Sequence, residues 1–301
     1  MRTLKIANII TLLSRALEDF RKNDPLRMAG ATAFFTVFAL PAVLIILIQV
    51  FGLFLSPRFM TRQLIQNLGE LVGRNTAVEL HKTLFNVRHL FSNWLEATLG
   101  FLFLIFVATT LLKVIKDSLN QLWNMRMTGH PGIKFRLLNR AKSFLVILIA
   151  GLLFLIVLLV EGGLDLIQKN SNASSLGNDP LVDSLLSQFI SFVLVTLWFS
   201  MLFKFLPDGR LPWKMVIAGA AFTSFLFTMG KILLKWLLSY SSMQTVYGAS
   251  TSSVLLLLFV FYSSFIFYYG ACFTRAWAEF KNKTIQPKKH AEKFEWLRVR
   301  G

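Results

Sequence analysis

The sequence predicts an all-α polytopic membrane protein: a six-helix transmembrane bundle with amphipathic interfacial helices at the N-terminus and in the first outer loop. Three observations lead there. Of 301 residues, 55% are hydrophobic and only 16% charged, with mean hydropathy +0.59, too little charge to cover a soluble domain of this length. Apolar runs recur six times at about 20 residues, the length a helix needs to cross a bilayer core. The 32 Lys and Arg against 15 Asp and Glu give a net charge of +17, and these cations flank the apolar runs instead of forming one patch.

The elements follow in order. Residues 1–28 read as an amphipathic N-terminal helix on the membrane surface, since Arg15, Glu18 and Asp19 continue a helical pattern and no small-x-small cleavage site is present. The membrane domain covers 29–279. Its first span, 29–55, opens at Asp24-Pro25, where Asp suits a cap and Pro the first helical position. Pro41 in its middle should kink it and free a carbonyl. The second span is 95–112, prolonged as helix through Trp123 before a turn at Gly129-His130-Pro131-Gly132. The third is 141–160, the fourth 185–206 after an Asn178-Asp179-Pro180 start signal, the fifth 213–240 and the sixth 253–274. Residues 280–301 form a basic tail.

Orientation comes from the flanks. Of the 32 Lys and Arg, 24 lie in the N-terminal segment, the second-to-third loop, the fourth-to-fifth turn and the tail; 8 lie on the other side. The bias places both termini in the cytoplasm. It also removes nucleic acid as a partner, because topology and attraction to anionic headgroups account for the charge. The outer connection, 56–94, shows helical periodicity through Leu64, Leu68, Leu71, Leu80, Leu84 and Val87, broken at Gly73-Arg74-Asn75. Two amphipathic helices at the interface are expected.

Chemistry is sparse. His81, His89, His130 and His290 are scattered, and the single Cys272 excludes an internal disulfide, so neither a metal centre nor a cofactor is expected. No phosphate loop, nucleophile elbow or zinc-protease motif occurs, and an enzyme finds no support. The Pro207–Trp213 turn reads as architecture: Pro207 ends a helix, Asp208-Gly209 turns, Arg210 meets a phosphate, Pro212 starts the next helix and Trp213 sits at headgroup level. Gly30, Gly219 and Gly230 are expected where helix backbones approach closely. Ser264, Tyr268 and Cys272 share one face of the sixth span, and in lipid the two hydroxyls need partners.

The sharper candidate is a polar vestibule at the outer end. Lys231 and Lys235 share a helix face four residues apart, with Lys231 about 27 Å along the helix from Trp213. Glu161 and Asp165 end the third span on that side, and Gln49 ends the first. The competing reading is that both lysines snorkel into headgroups.

Several stretches carry a family resemblance: AGATAFFTVFALP (Ala29–Pro41), DSLNQLW (Asp117–Trp123), KFLPDGRLPWK (Lys204–Lys214) with AGA (Ala218–Ala220), VYGAS (Val246–Ser250, with Tyr247 and Gly248) and YGACF (Tyr269–Phe273, with Gly270). In order and spacing the chain resembles, from about residue 15 to 280, the YihY/virulence factor BrkB family of bacterial inner-membrane proteins, once misnamed ribonuclease BN. The resemblance implies six spans, cytoplasmic termini and no established reaction. It suggests export or flipping of lipid-like molecules, or resistance to host serum factors. Cys272 stands where the family usually has Glu, so no carboxylate role carries over. The ribonuclease label conflicts with the scattered histidines. A lipid transporter or flippase without ATPase machinery is the leading expectation, and a non-transporting envelope scaffold the alternative.

Overall fold

The computed structural model describes residues 6–51, 78, 82, 94–128, 145–146, 149, 151–153, 180–240, 251–288 and 291–294. Asn23-Asp24 separates an amphipathic helix, α1 (Ile6–Lys22), from an apolar one, α2 (Pro25–Phe51). The Asn23 side-chain amide donates to the Asp19 carbonyl at 2.8 Å, closing the end of α1. Asp24 takes a left-handed backbone (φ 50), and its carbonyl accepts the first bond of α2, from Met28 N–H at 3.2 Å. The helix then runs unbroken through Pro41.

Helix α3 (Trp94–Leu122) extends the second expected span by two to three turns, as the polar run after Leu112 predicts. It stops at Asn124, which takes a left-handed backbone (φ 53) and whose N–H bonds the Gln121 carbonyl at 3.1 Å. A short strand, β1 (Met125–Met127), follows. Helix α4 (Pro180–Phe205) begins at the expected proline. Strand β2 (Gly209–Arg210) then leads into α5 (Trp213–Tyr240), whose bounds match the expected span. Helix α6 (Thr251–Phe280) ends at Asn282 (φ 54), where Lys283 N–H bonds the Ala278 carbonyl and Asn282 N–H the Glu279 carbonyl. This is the double hydrogen bond of a Schellman cap, with asparagine at the position glycine commonly fills.

Five of these helices are long and apolar enough, over Pro25–Ile45, Thr98–Leu122, Gln188–Phe205, Trp213–Leu234 and Ser253–Phe280, to cross a membrane. The expected third span lies mostly outside the described residues; within it, 145–146, 149 and 151–153 are helical, and Val146 packs on the core. The outer helices expected over 56–94 likewise fall almost wholly outside.

Helix α6 is the centre of the bundle, packing against α1, α2, α3 and α5, while α4 pairs with α5. Phe199 and Phe203 of α4 stack on Phe267 of α6 at 5.9 and 5.1 Å, and Phe222 of α5 stacks on Phe273 at 3.9 Å. The opposite faces keep large apolar side chains outward, among them Phe38, Phe103, Phe189, Phe225 and Ile232. A soluble bundle would leave such rings in water at a cost of a few kcal/mol each, whereas lipid accepts them.

The amphipathic stripe of α1 lies on α6. Leu12, Ala16 and Phe20, spaced four apart, are buried. Phe20 meets Phe265 edge-on at 4.8 Å, and Arg15 pairs with Glu279 at 3.1 Å. The described part of the tail is also docked. Strand β3 (Gln286–Pro287) pairs antiparallel with β2, and β4 (Ala291–Lys293) with β1. The end of the bundle that carries these ties is called the base below.

Candidate functional site

Of the expected vestibule, the described side chains include Lys231 alone. It sits on α5, half-buried, with Nζ 5.6 Å from the centre of the Phe227 ring one turn earlier. Lys235 and Gln49 lie in α5 and α2, but their side chains are outside the described residues, as are Glu161, Asp165, Tyr247, Gly248 and the four histidines. Among the described residues no three His, Cys, Asp or Glu side chains gather as a metal would require.

Beside Lys231, Gly230 is a true close approach. A Cβ there would fall 0.7 Å from the Tyr262 hydroxyl oxygen of α6, which points to the Leu226 carbonyl at 3.4 Å. Further along the same contact, α5 and α6 exchange glycine and threonine reciprocally. A Cβ on Gly219 would fall 1.8 Å from Thr274 Oγ1, and one on Gly270 1.9 Å from Thr223 Oγ1. Each threonine hydroxyl donates to the carbonyl of the glycine one turn back in its own helix, Thr223 to Gly219 at 2.8 Å and Thr274 to Gly270 at 2.7 Å. The hydroxyls are thus satisfied without water while the two backbones touch. Gly30 is different: a Cβ there meets nothing within 4 Å. The close approach expected at Gly30 is therefore corrected, because α2 turns that position toward open space.

Higher on α6, Tyr268 is fully buried and its hydroxyl lies 2.5 Å from Thr32 Oγ1 of α2. Cys272 is buried without exposure in the core. Ser264 is buried as well. The face predicted from i, i+4 spacing therefore looks into the bundle.

The base holds the densest polar structure. Asn120, on the polar prolongation of α3, faces the turn after α4: its amide nitrogen donates to Asp208 Oδ2 at 2.8 Å, and its carbonyl oxygen accepts Asp208 N–H at 2.8 Å. Lys116, one turn earlier, holds the other carboxylate oxygen at 2.8 Å. Both oxygens of Asp208 are thereby engaged, which makes it a brace between α3 and the turn. Pro207 ends α4 as expected, and Lys288 Nζ takes the carbonyls left over there, Pro207 at 2.5 Å and Phe205 at 3.3 Å. Lys204 Nζ bonds the Leu211 carbonyl at 2.5 Å and lies 5.2 Å from the Trp213 ring centre. Pro212 precedes the helix by one residue, its carbonyl accepting Met215 and Val216 N–H. Arg210 and Trp213 are exposed.

Gly209 is required by packing more than by turning. A Cβ would fall 2.5 Å from Ile285 Cγ2 and 3.1 Å from Trp123 Cε3. Trp123 is buried and donates its indole N–H to the Ala271 carbonyl at 3.1 Å, and Arg275 caps α3 through the Leu122 carbonyl at 2.9 Å. Sequence reasoning missed Asn120, Lys116, Arg275 and Lys288. Asn120 lay inside the DSLNQLW stretch, while Lys116, Arg275 and Lys288 were marked only by charge beside the spans and in the tail, where solvation alone predicts it.

Apolar helices with outward aromatic side chains and one polar, cross-braced end define a multi-pass membrane protein. Comparison with known sequences narrows this. The family described as Virulence factor BrkB matches residues 16–295, and the chain belongs to that family. It is 23% identical over 255 residues to a UPF0761 membrane protein of Haemophilus influenzae (strain 86-028NP), covering 84% of this chain and 89% of the relative. A UPF0761 membrane protein of Mannheimia succiniciproducens is 23% identical over 290 residues, 91% and 92% of the two chains. One from Saccharophagus degradans is 25% identical over 264 residues, 87% of this chain and 58% of the relative. No solved structure matches.

Proposed function

We propose that this protein moves an amphipathic, lipid-like molecule between the leaflets or out of a bacterial inner membrane, with both termini and the base in the cytoplasm. One observation carries the reading: Lys231 is a half-buried cation on an apolar span, its ammonium against Phe227. A cation at the outer end of a span snorkels to the headgroups or meets an anionic group that passes or binds. Phosphate of a lipid headgroup is such a group. Arg210 and Trp213, exposed at the base, suit anionic headgroups of the inner leaflet. The reading includes no reaction and no cofactor.

The second reading is an envelope scaffold that moves nothing, and the cross-bracing of the base around Asp208 favours it. Reconstituted vesicles separate the two. With a fluorescent phospholipid quenched only in the outer leaflet, transport predicts a protein-dependent rise in the rate at which inner-leaflet probe becomes accessible. Lys231→Met should reduce that rise about tenfold. A rate equal to that of protein-free vesicles would leave the scaffold reading standing.

A further inference from the structure

The tail segment after α6 makes contacts unlike those of the helices. It crosses the base as an extended strap, pairing first with β2 and then with β1, so it touches the turn between α4 and α5 and the chain leaving α3. Lys288 N–H bonds the Asp208 carbonyl at 2.8 Å, and Phe294 N–H the Asn124 carbonyl at 3.0 Å. Its apolar anchor is Ile285, buried in the notch left by Gly209 against Trp123. Its polar anchor is the Lys288 ammonium on the end of α4.

We propose that residues 283–288 and 291–294 form a dissociable latch on the base, opening without unfolding of the helices and leaving β1 and β2 without their strand partners when it opens. Two features make it dissociable. The ladders span two and three residues, and two-stranded pairings of that length are marginal by themselves. The strand side chains are half-exposed or exposed, leaving Ile285 as the buried apolar contact. Local opening of such a unit below the global unfolding limit is the ordinary behaviour of weakly buried segments. The brace of Asn120 and Lys116 on Asp208 remains when the strap leaves, so opening loosens the base without dismantling it. This is independent of whether the protein transports lipid.

Hydrogen exchange on the full-length protein in nanodiscs, read by mass spectrometry of peptides, tests it. In the wild type, amides of 286–288, of 291–294 and of Met125–Met127 should be protected relative to unstructured peptide. They should nevertheless exchange at least tenfold faster than those of Leu119–Trp123. Ile285→Ala and, separately, Lys288→Met should each speed the strap and Met125–Met127 together by about tenfold while leaving α2 and α6 unchanged. Strap amides as slow as the helices would overturn the proposal by making the strap a permanent part of the bundle. Wild-type strap amides at the unstructured rate would overturn it by removing the docked state. Acceleration spread through α2 and α6 in both variants would overturn it by making opening global.

Discussion

Gly219→Ala adds one methyl group at the crossing of α5 and α6. The new carbon would lie 1.8 Å from Thr274 Oγ1, 2.7 Å from Thr274 Cβ and 2.9 Å from Thr274 Cγ2. Carbon contacts are comfortable at about 3.5–4.0 Å. Rotating Thr274 about χ1 moves Oγ1 and Cγ2 but not Cβ, so the backbones must part by roughly an ångström. Overpacking of this kind costs about 1–3 kcal/mol. Alanine regains about 1 kcal/mol of helix propensity over glycine, which hides part of the cost. Gly30→Ala supplies the same regain with no atom within 4 Å. The difference between the two variants therefore isolates the clash, and Gly219→Ala should be less stable than Gly30→Ala by about 1–3 kcal/mol. Thr274→Gly removes all three contacting atoms and should recover about 1–2 kcal/mol of that loss as coupling in a double-mutant cycle. Reversible unfolding in mixed micelles, followed by tryptophan fluorescence, measures each term. Equal stability of Gly219→Ala and Gly30→Ala, or additivity of Gly219→Ala with Thr274→Gly, would refute the reasoning.

Two further outcomes follow from the base and from α1. Asn120→Ala leaves Asp208 N–H and one carboxylate oxygen without their partner, at a cost of about 2–4 kcal/mol, and adding Asp208→Ala, which also breaks the Lys116 pair, should cost about 1–2 kcal/mol more; the same unfolding assay reads both. Phe20→Ala deletes a ring that is 1% exposed between α1 and α6, a loss of about 3–5 kcal/mol. It should undock α1 first, seen as faster trypsin cleavage after Arg15 and Arg21 while α6 stays intact.

Five of the six expected spans appear as long apolar helices because their cause is local: apolar run length and flanking charge are properties of consecutive residues. Helix α5 is bounded by Pro212 on one side, and its expected limits of 213 and 240 agree with the structure. The prolines at 25 and 180 mark helix starts for the same reason. What faces a residue across the bundle is not local. Gly30, Gly219 and Gly230 look alike in sequence, yet two of them meet a side chain and one meets open space. The strap was illegible for a related reason: its lysines read as a solvated tail, and ladders of two and three residues carry no periodicity. Ile285, an isolated apolar residue among polar ones, was its one local mark. Asn120 lay inside a recognised stretch, but its partner Asp208 is 88 residues away.

The docking of α1 on α6 joins the first described helix to the last. The Tyr269 hydroxyl approaches the Leu13 carbonyl at 3.4 Å across 256 residues of sequence, and Phe20 meets Phe265. At ribosomal speeds of about 5–20 residues per second, α6 emerges roughly 12–50 s after α1. During that interval α6, the helix on which the Leu12–Ala16–Phe20 stripe packs among the described residues, is not yet made. The bilayer surface is the environment that matches it, apolar stripe down and Arg15, Arg21 and Lys22 toward headgroups. A nascent chain halted before residue 265 lacks this docking face, and α1 in it is expected on the bilayer surface, read by trypsin access to Arg15 and Arg21.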